Sequence, residues 1–179
     1  MEQLAKSSGL LAAALLLACS GLLAQPRDSA YVKTKVNPGR AGVFVDGKYV
    51  GPAANFRIAR TYEVSPGRHE IRLIDPRYEE AATTVDVPAG KTATVSQTLK
   101  PLPPAKGPFG MLRTINSDKF AAVYINEKFY GHVDEFSNPA QGVLLPPGEY
   151  TVRIEPLAGG GVVSRKVRLE AGKTVVVEQ

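Results

Sequence analysis

The chain carries one pattern twice. Residues 43–51 read VFVDGKYVG and residues 123–131 read VYINEKFYG, an offset of 80 that aligns a valine, an aromatic, a β-branched residue, a lysine, a second aromatic and a closing glycine. The offset holds elsewhere: Thr34 falls on Thr114, Ala41 on Ala121 and Phe56 on Phe136. It then becomes 81, where Pro66, Gly67, Ile71, Arg72 and Leu73 meet Pro147, Gly148, Val152, Arg153 and Ile154, and 82, where Ala89-Gly90-Lys91-Thr92 meets Ala171-Gly172-Lys173-Thr174. Two single-residue insertions account for the slips, one between Gly131 and Pro147 and one near Gly159–Gly161, both where loops are expected. Loops absorb length changes that packed strands cannot. The chain therefore reads as a tandem duplication.

Each copy carries strand patterns. In HEIRL, His69, Ile71 and Leu73 share one face of an extended chain and Glu70 and Arg72 the other; YTVRI repeats this with Tyr150, Val152 and Ile154. Asp46-Gly47 signals a two-residue hairpin, since both residues tolerate positive φ. Asn126-Glu127 stands in its place in the second copy, and the glutamate implies a different or looser loop. Ser65-Pro66-Gly67, Pro146-Pro147-Gly148 and the two Ala-Gly-Lys stretches punctuate the remaining strands. No stretch beyond the N-terminus shows a sustained helical stripe. The expected fold is all-β, two tandem β-sandwich or partly open barrel modules with six or seven strands each.

The N-terminus differs from the rest. Lys6 precedes an apolar stretch from Leu10 to Leu23, and Ala24 precedes Gln25, the layout of a secretory signal peptide over 1–24. The run falls short of the ~20 apolar residues a membrane span needs. Leu16-Leu17-Ala18-Cys19-Ser20 resembles the lipobox of bacterial lipoproteins, which makes Cys19 a lipidation site, although Leu17 is bulky for that pattern. Cleavage after Ala24 is the other reading. Cys19 is the only cysteine, so the exported chain holds no disulfide and relies on core packing. The modules are expected at 27–100 and 111–179. They are joined by a connector at 101–110 whose prolines favour an extended, semi-rigid form. At about 70 residues each core is marginal, so packing between the modules is expected.

Asn37-Pro38-Gly39-Arg40-Ala41, the strand to Asp46-Gly47, Gly51, the later Pro66-Gly67 and the final strand after Gly90 resemble the PEGA domain. The second copy is similar but degenerate: Ser117-Asp118-Lys119-Phe120-Ala121 lacks the proline and glycine, and Asn126-Glu127 replaces Asp-Gly. The resemblance implies a β module of the bacterial or archaeal envelope, exported to the periplasm or cell surface, with an architectural or binding role. It supplies no catalytic residue to carry over.

Chemistry sought directly gives little more. His69 and His132 do not align with each other, and His69 sits in an inward register that suits a structural role. No HExxH, paired cysteines or GxSxG occurs, and Gly159-Gly160-Gly161 lacks the Gly-Lys-Ser/Thr of a phosphate loop. Glu79-Glu80 and Asp134-Glu135 are adjacent carboxylates, which in strands point to opposite faces. The chain reads as no enzyme, with no cofactor and no metal site.

Two features point to binding. Residues 27–100 hold 12 Lys and Arg against 8 Asp and Glu, whereas residues 101–179 hold 9 against 8. Arg57, Arg60, Arg68, Arg72 and Arg77, with Tyr62 and Tyr78 among them, form a candidate patch for anionic envelope polymers; the alternative is a solvated face. Tyr49, Phe129 and Tyr130 near the hairpin tips suit sugar stacking or a protein anchor, or else cross-strand packing. The expected partners are envelope polysaccharide or envelope protein, not nucleic acid, with membrane contact only through a lipid anchor at Cys19. The alternative is an accessory or inhibitory protein that engages a specific partner through β edges and hairpin tips. A hydrolase would need a cleft between the modules.

Overall fold

Alternation of apolar and polar residues sets the first strand, β1 (Ala30–Asn37), whose Ala30, Val32, Thr34 and Val36 are buried while Lys33 and Lys35 project from the other face. A computed structural model describes residues 29–178; the expected signal peptide and Cys19 lie outside the described residues. After β1 come β2 (Gly42–Val45), β3 (Lys48–Pro52), a 3₁₀ turn at Ala53–Phe56, β4 (Tyr62–Val64), β5 (Gly67–Ile74), β6 (Ala81–Val87) and β7 (Thr92–Thr98). They form a three-stranded sheet in the order β4-β1-β7 and a four-stranded sheet in the order β3-β2-β5-β6. β1 and β7 run parallel, and the other pairings are antiparallel. Val32 and Val95 from one sheet and Val43, Ile71 and Leu73 from the other bury into one core between them. Each such side chain contributes roughly 2–3 kcal/mol through the apolar surface it removes from water.

The second half has β8 (Gly110–Ile115), β9 (Ala122–Ile125), β10 (Lys128–His132), a one-turn helix α1 (Val133–Phe136), β11 (Val143–Leu145), β12 (Gly148–Glu155), β13 (Val163–Leu169) and β14 (Thr174–Glu178). Its sheets run β11-β8-β14 and β10-β9-β12-β13, the same orders as in the first half, again with the first and last strands parallel. Leu112, Val123, Ile125, Val152 and Ile154 form its core. The loop before β11 is one residue longer than the loop before β4, as is the loop between β12 and β13 relative to that between β5 and β6. These are the two places where the sequence offset slips.

The second hairpin corrects one expectation. Asp46 and Gly47 have φ of 49° and 82°, and Asn126 and Glu127 have 49° and 62°, so both turns are the same two-residue form. Glu127 accepts a left-handed conformation rather than loosening the loop. The Asn126 side chain secures it by accepting a hydrogen bond from Thr151 N at 2.9 Å, as Asp46 does from Glu70 N at 2.9 Å. The degenerate element before β9 is held similarly. Ala121 N donates to Asp118 O at 3.0 Å, as Ala41 N does to Pro38 O at 3.2 Å. Here the side chains of Asn116 and Asp118 accept from the amides two residues on, which shapes the turn without proline or glycine. The carboxylate pairs correct another expectation, since Asp134 and Glu135 lie in α1 and Glu79 and Glu80 precede β6, outside strands.

The connector begins docked on the first half. Leu99 is buried, Leu102 N donates to Arg77 O at 2.8 Å, and Glu79 N donates to Lys100 O at 2.8 Å. No helix among the described residues is long and apolar enough to cross a membrane.

Candidate binding surfaces

The hairpin aromatics do not project into solvent. Tyr49 and Phe129 are 7% and 5% exposed and pack on each other, with Phe44, Ala122, Ile74 and Tyr124, in a third apolar cluster between the two halves. The Phe129 ring lies 5.2 Å from Phe44, edge to face, and 5.0 Å from Tyr49. It can do so because residue 42 is glycine: a Cβ there would stand 2.5 Å from Phe129 Cε1 and Cζ. Gly42, Phe44 and Tyr49 align at offset 80 with Ala122, Tyr124 and Phe129, so equivalent positions of the two halves face each other. Of the two readings for these aromatics, packing is what the structure displays at Tyr49 and Phe129. Tyr130 is half-buried against the second core.

Beside this cluster lies an ion-pair group that sequence reading missed. Asp75, with its side chain 1% exposed, accepts from Arg40 Nε at 3.0 Å and from Arg77 Nε at 2.7 Å. Arg77 Nη2 also reaches Glu135 Oε2 across the junction at 2.7 Å. Burial acts to raise the Asp75 carboxyl, but the hydrogen bonds from Arg77 and Arg40 outweigh it and hold the carboxyl below its ordinary range. Burial likewise opposes the charge on Arg77, and bonding to Asp75 and Glu135 overrides it. The Arg77 charge is thus paired in the junction. His132 Nδ1 stands 3.0 Å from Glu135 Oε1 in the same group.

The remaining arginines divide. Arg72 is paired with Glu80 at 2.6 Å. Arg68, the second residue of β5, is exposed and lies opposite Asp86 in the β5–β6 ladder. Arg57 and Arg60 are exposed in the loop before β4, which also carries Ile58, 81% exposed. Lys33 Nζ donates to the Ile58 carbonyl at 3.3 Å and ties the loop to β1. Arg57 and Arg60 thus share a loop that is tied to Lys33 through the Ile58 carbonyl, whereas Arg72, in β5, and Arg77, just after it, are paired with carboxylates. Lys33 and Lys35 had a signal in their two-residue spacing on β1. The exposure of Ile58 had none.

His69 is occupied structurally. Its Nδ1 lies 2.6 Å from Asp46 Oδ2 and its Nε2 2.7 Å from Ser65 O. Both neighbours are acceptors, so the ring suits its doubly protonated form; the hydrogen bond to Asp46 raises His69 above its ordinary 6.5 and lowers Asp46 below 3.8. In the second half Tyr150 Oη donates to Pro146 O at 2.8 Å and Asn126 replaces Asp46, the same bracing without charge. A raised histidine stabilises fully below about pH 6.5 and loses that contribution as pH rises through its folded value; a lowered aspartate loses its own as pH falls below 3.8. The hairpin brace should be strongest between those limits. Amide exchange at Glu70, whose N–H donates to Asp46 Oδ1, should accelerate beyond the intrinsic rate as the pH rises above 6.5 and His69 loses its proton. His69→Tyr with Asp46→Asn should abolish the excess.

Two stacked sheets per half, one of them pairing the first and last strands in parallel, with the halves in contact through equivalent hairpins, define a class of small all-β module. Residues 31–103 match the PEGA domain family, so the first half carries a PEGA domain. Among solved structures, the Bacillus anthracis TIE protein aligns over 85% of this chain and 33% of its own length, at 14% identity and a TM-score of 0.24. The chain thus spans about a third of the length of that structure. No curated protein matches the chain.

Proposed function

We propose that the chain is an exported, non-catalytic envelope protein of two PEGA-like modules, the second degenerate, which binds anionic envelope material through the first. The observation that carries this reading is the grouping of Arg57 and Arg60 with Lys33 beside Lys35, where none of the four makes an ion pair with a carboxylate among the described residues. Arg72 and Arg77, by contrast, are spent on carboxylates. The non-catalytic reading is supported by the histidines, His69 held between Asp46 and Ser65 and His132 buried beside Glu135. Export rests on the N-terminal apolar stretch and on the PEGA domain itself. A partner seated on the hairpin aromatics is disfavoured, since Tyr49 and Phe129 cover each other.

Binding of the full chain to a soluble polyanion such as dextran sulfate tests the surface. Arg57→Gln with Arg60→Gln should weaken it several-fold at low salt, and physiological salt should weaken the native chain too, because exposed charges are screened over ~8 Å at 0.15 M. Arg72→Gln, which removes a charge already paired, should change little. Equal binding by all three proteins would overturn the assignment of this surface. Mass spectrometry of the processed N-terminus tests export: a start at Cys19 with lipid, or at Gln25 without it, supports the reading, and an intact Met1 in the cytoplasm refutes it.

A further inference from the structure

We infer that the loop Arg57–Arg60 is a membrane-contacting tip, in which Ile58 enters the acyl boundary of an anionic phospholipid bilayer while Arg57, Arg60, Lys33 and Lys35 engage the headgroups. This rests on the reading of the basic surface as a binding surface and names its partner.

A single exposed apolar residue on a protein surface is ordinary. Ile58 differs by its setting. At 81% it is the most exposed of the large apolar side chains among the described residues, ahead of Leu144 and Val162 at 55%. An arginine precedes it and another follows two residues later, and Lys33 is bonded to its own carbonyl. Lys35 extends the charge along the same face of β1, because side chains two apart in a strand share a face. Across the ladder on β7, their partners are Thr94 and Ser96, which bring no negative charge. The carboxylate on the neighbouring strand, Glu63, is opposite Tyr31 and accepts a hydrogen bond from Ser29.

The fold does not require this arrangement. The corresponding loop of the second half runs from Ser137 to Gly142 as SNPAQG and carries no charge. The positions of Lys33 and Lys35 hold Arg113 and Ile115 there: Arg113 keeps the bond to the loop, through the Ser137 carbonyl, but the second cation is gone. Cations alone would serve any polyanion. An exposed isoleucine framed by cations serves a partner with an apolar layer directly beneath an anionic one, which is the order of headgroup and acyl chain in a bilayer.

The sequence contains no tryptophan, so Ile58→Trp places a single reporter at the tip. The full chain with this change is titrated with vesicles of phosphatidylcholine alone or mixed with phosphatidylglycerol. Circular dichroism checks that the fold is kept. The indole emission should move to the blue, and lipids brominated on the acyl chain should quench it, with the mixed vesicles only. Lys33→Gln and Lys35→Gln, each added to it, should weaken partitioning about fivefold, the value of one basic residue at an anionic surface. Ile58→Ser in the native background should weaken vesicle binding about tenfold, the loss of one buried apolar side chain, and leave dextran sulfate binding unchanged. An indole that stays in water while the chain is vesicle-bound would show that another segment makes the contact and would overturn the inference. Dextran sulfate binding without vesicle binding also overturns it, and leaves the polyanion surface standing. Loss of neither on Arg57→Gln with Arg60→Gln overturns both.

Discussion

Phe129→Ala should cost about 3 kcal/mol or more, the range for deleting a large buried aromatic, and should uncouple the two halves of the chain. The ring is 5% exposed and touches side chains of both halves: Phe44 and Tyr49 of the first, Tyr124 of the second. Its edge also fills the space above Gly42. Neither core contains it, so the loss falls on the contact between the halves. Calorimetry should show one transition in the native chain and two in the variant. Gly42→Val should do the same from the other side, since any Cβ there meets the ring at 2.5 Å. A single, equally cooperative transition in Phe129→Ala would mean that the halves are held by Arg77 and Glu135 instead.

That contact explains why both copies carry an aromatic at the hairpin, a coincidence the sequence displayed without a reason. Tyr49 and Phe129 are equivalent in the repeat and neighbours in space. Sequence spacing can match one position with another, but it cannot say that a position will meet its own counterpart, because that depends on how the chain turns between them. The all-β class was legible for a simpler cause. Alternation in HEIRL and YTVRI follows from the pleat, and Ile71, Leu73, Val152 and Ile154 are among the most buried residues. The parallel pairing of β1 with β7 was not legible, since partners some 60 residues apart leave no local mark. Likewise Asn116 and Asp118 conceal a turn that elsewhere needs proline and glycine.

The candidate site divides along the same line. Arg57 and Arg60 share a loop, so proximity in sequence is proximity in space. Arg77 stands near them in composition only; its fate was set by Asp75 two residues away and by Glu135, 58 residues along the chain. A count of cations in residues 27–100 could not tell a free guanidinium from a neutralised one. Ion pairing across a junction is a property of the assembled halves.

Gly131→Ala should cost about 3 kcal/mol, against about 1–2 kcal/mol for Gly51→Ala at the equivalent place. Both glycines close a hairpin where the ladder slips register, and both have positive φ, 146° and 131°, so alanine is strained at either. Their surroundings differ. A Cβ on Gly51 meets Phe56 at 3.5 Å, ordinary contact, whereas one on Gly131 stands 2.5 Å from Glu135 Oε1 and 2.9 Å from Phe136 Cζ. Phe136 is buried in the second core and cannot withdraw freely. Glu135 is held by Arg77, so relieving the clash displaces the acceptor that bridges the halves. Part of the cost should therefore vanish when that bridge is already absent. In a double-mutant cycle, Gly131→Ala should be milder in an Arg77→Gln background than in the native chain, by an interaction energy of about 0.5–1 kcal/mol or more. Additive effects would show that Phe136 alone resists the methyl group and that Glu135 gives way without disturbing the junction.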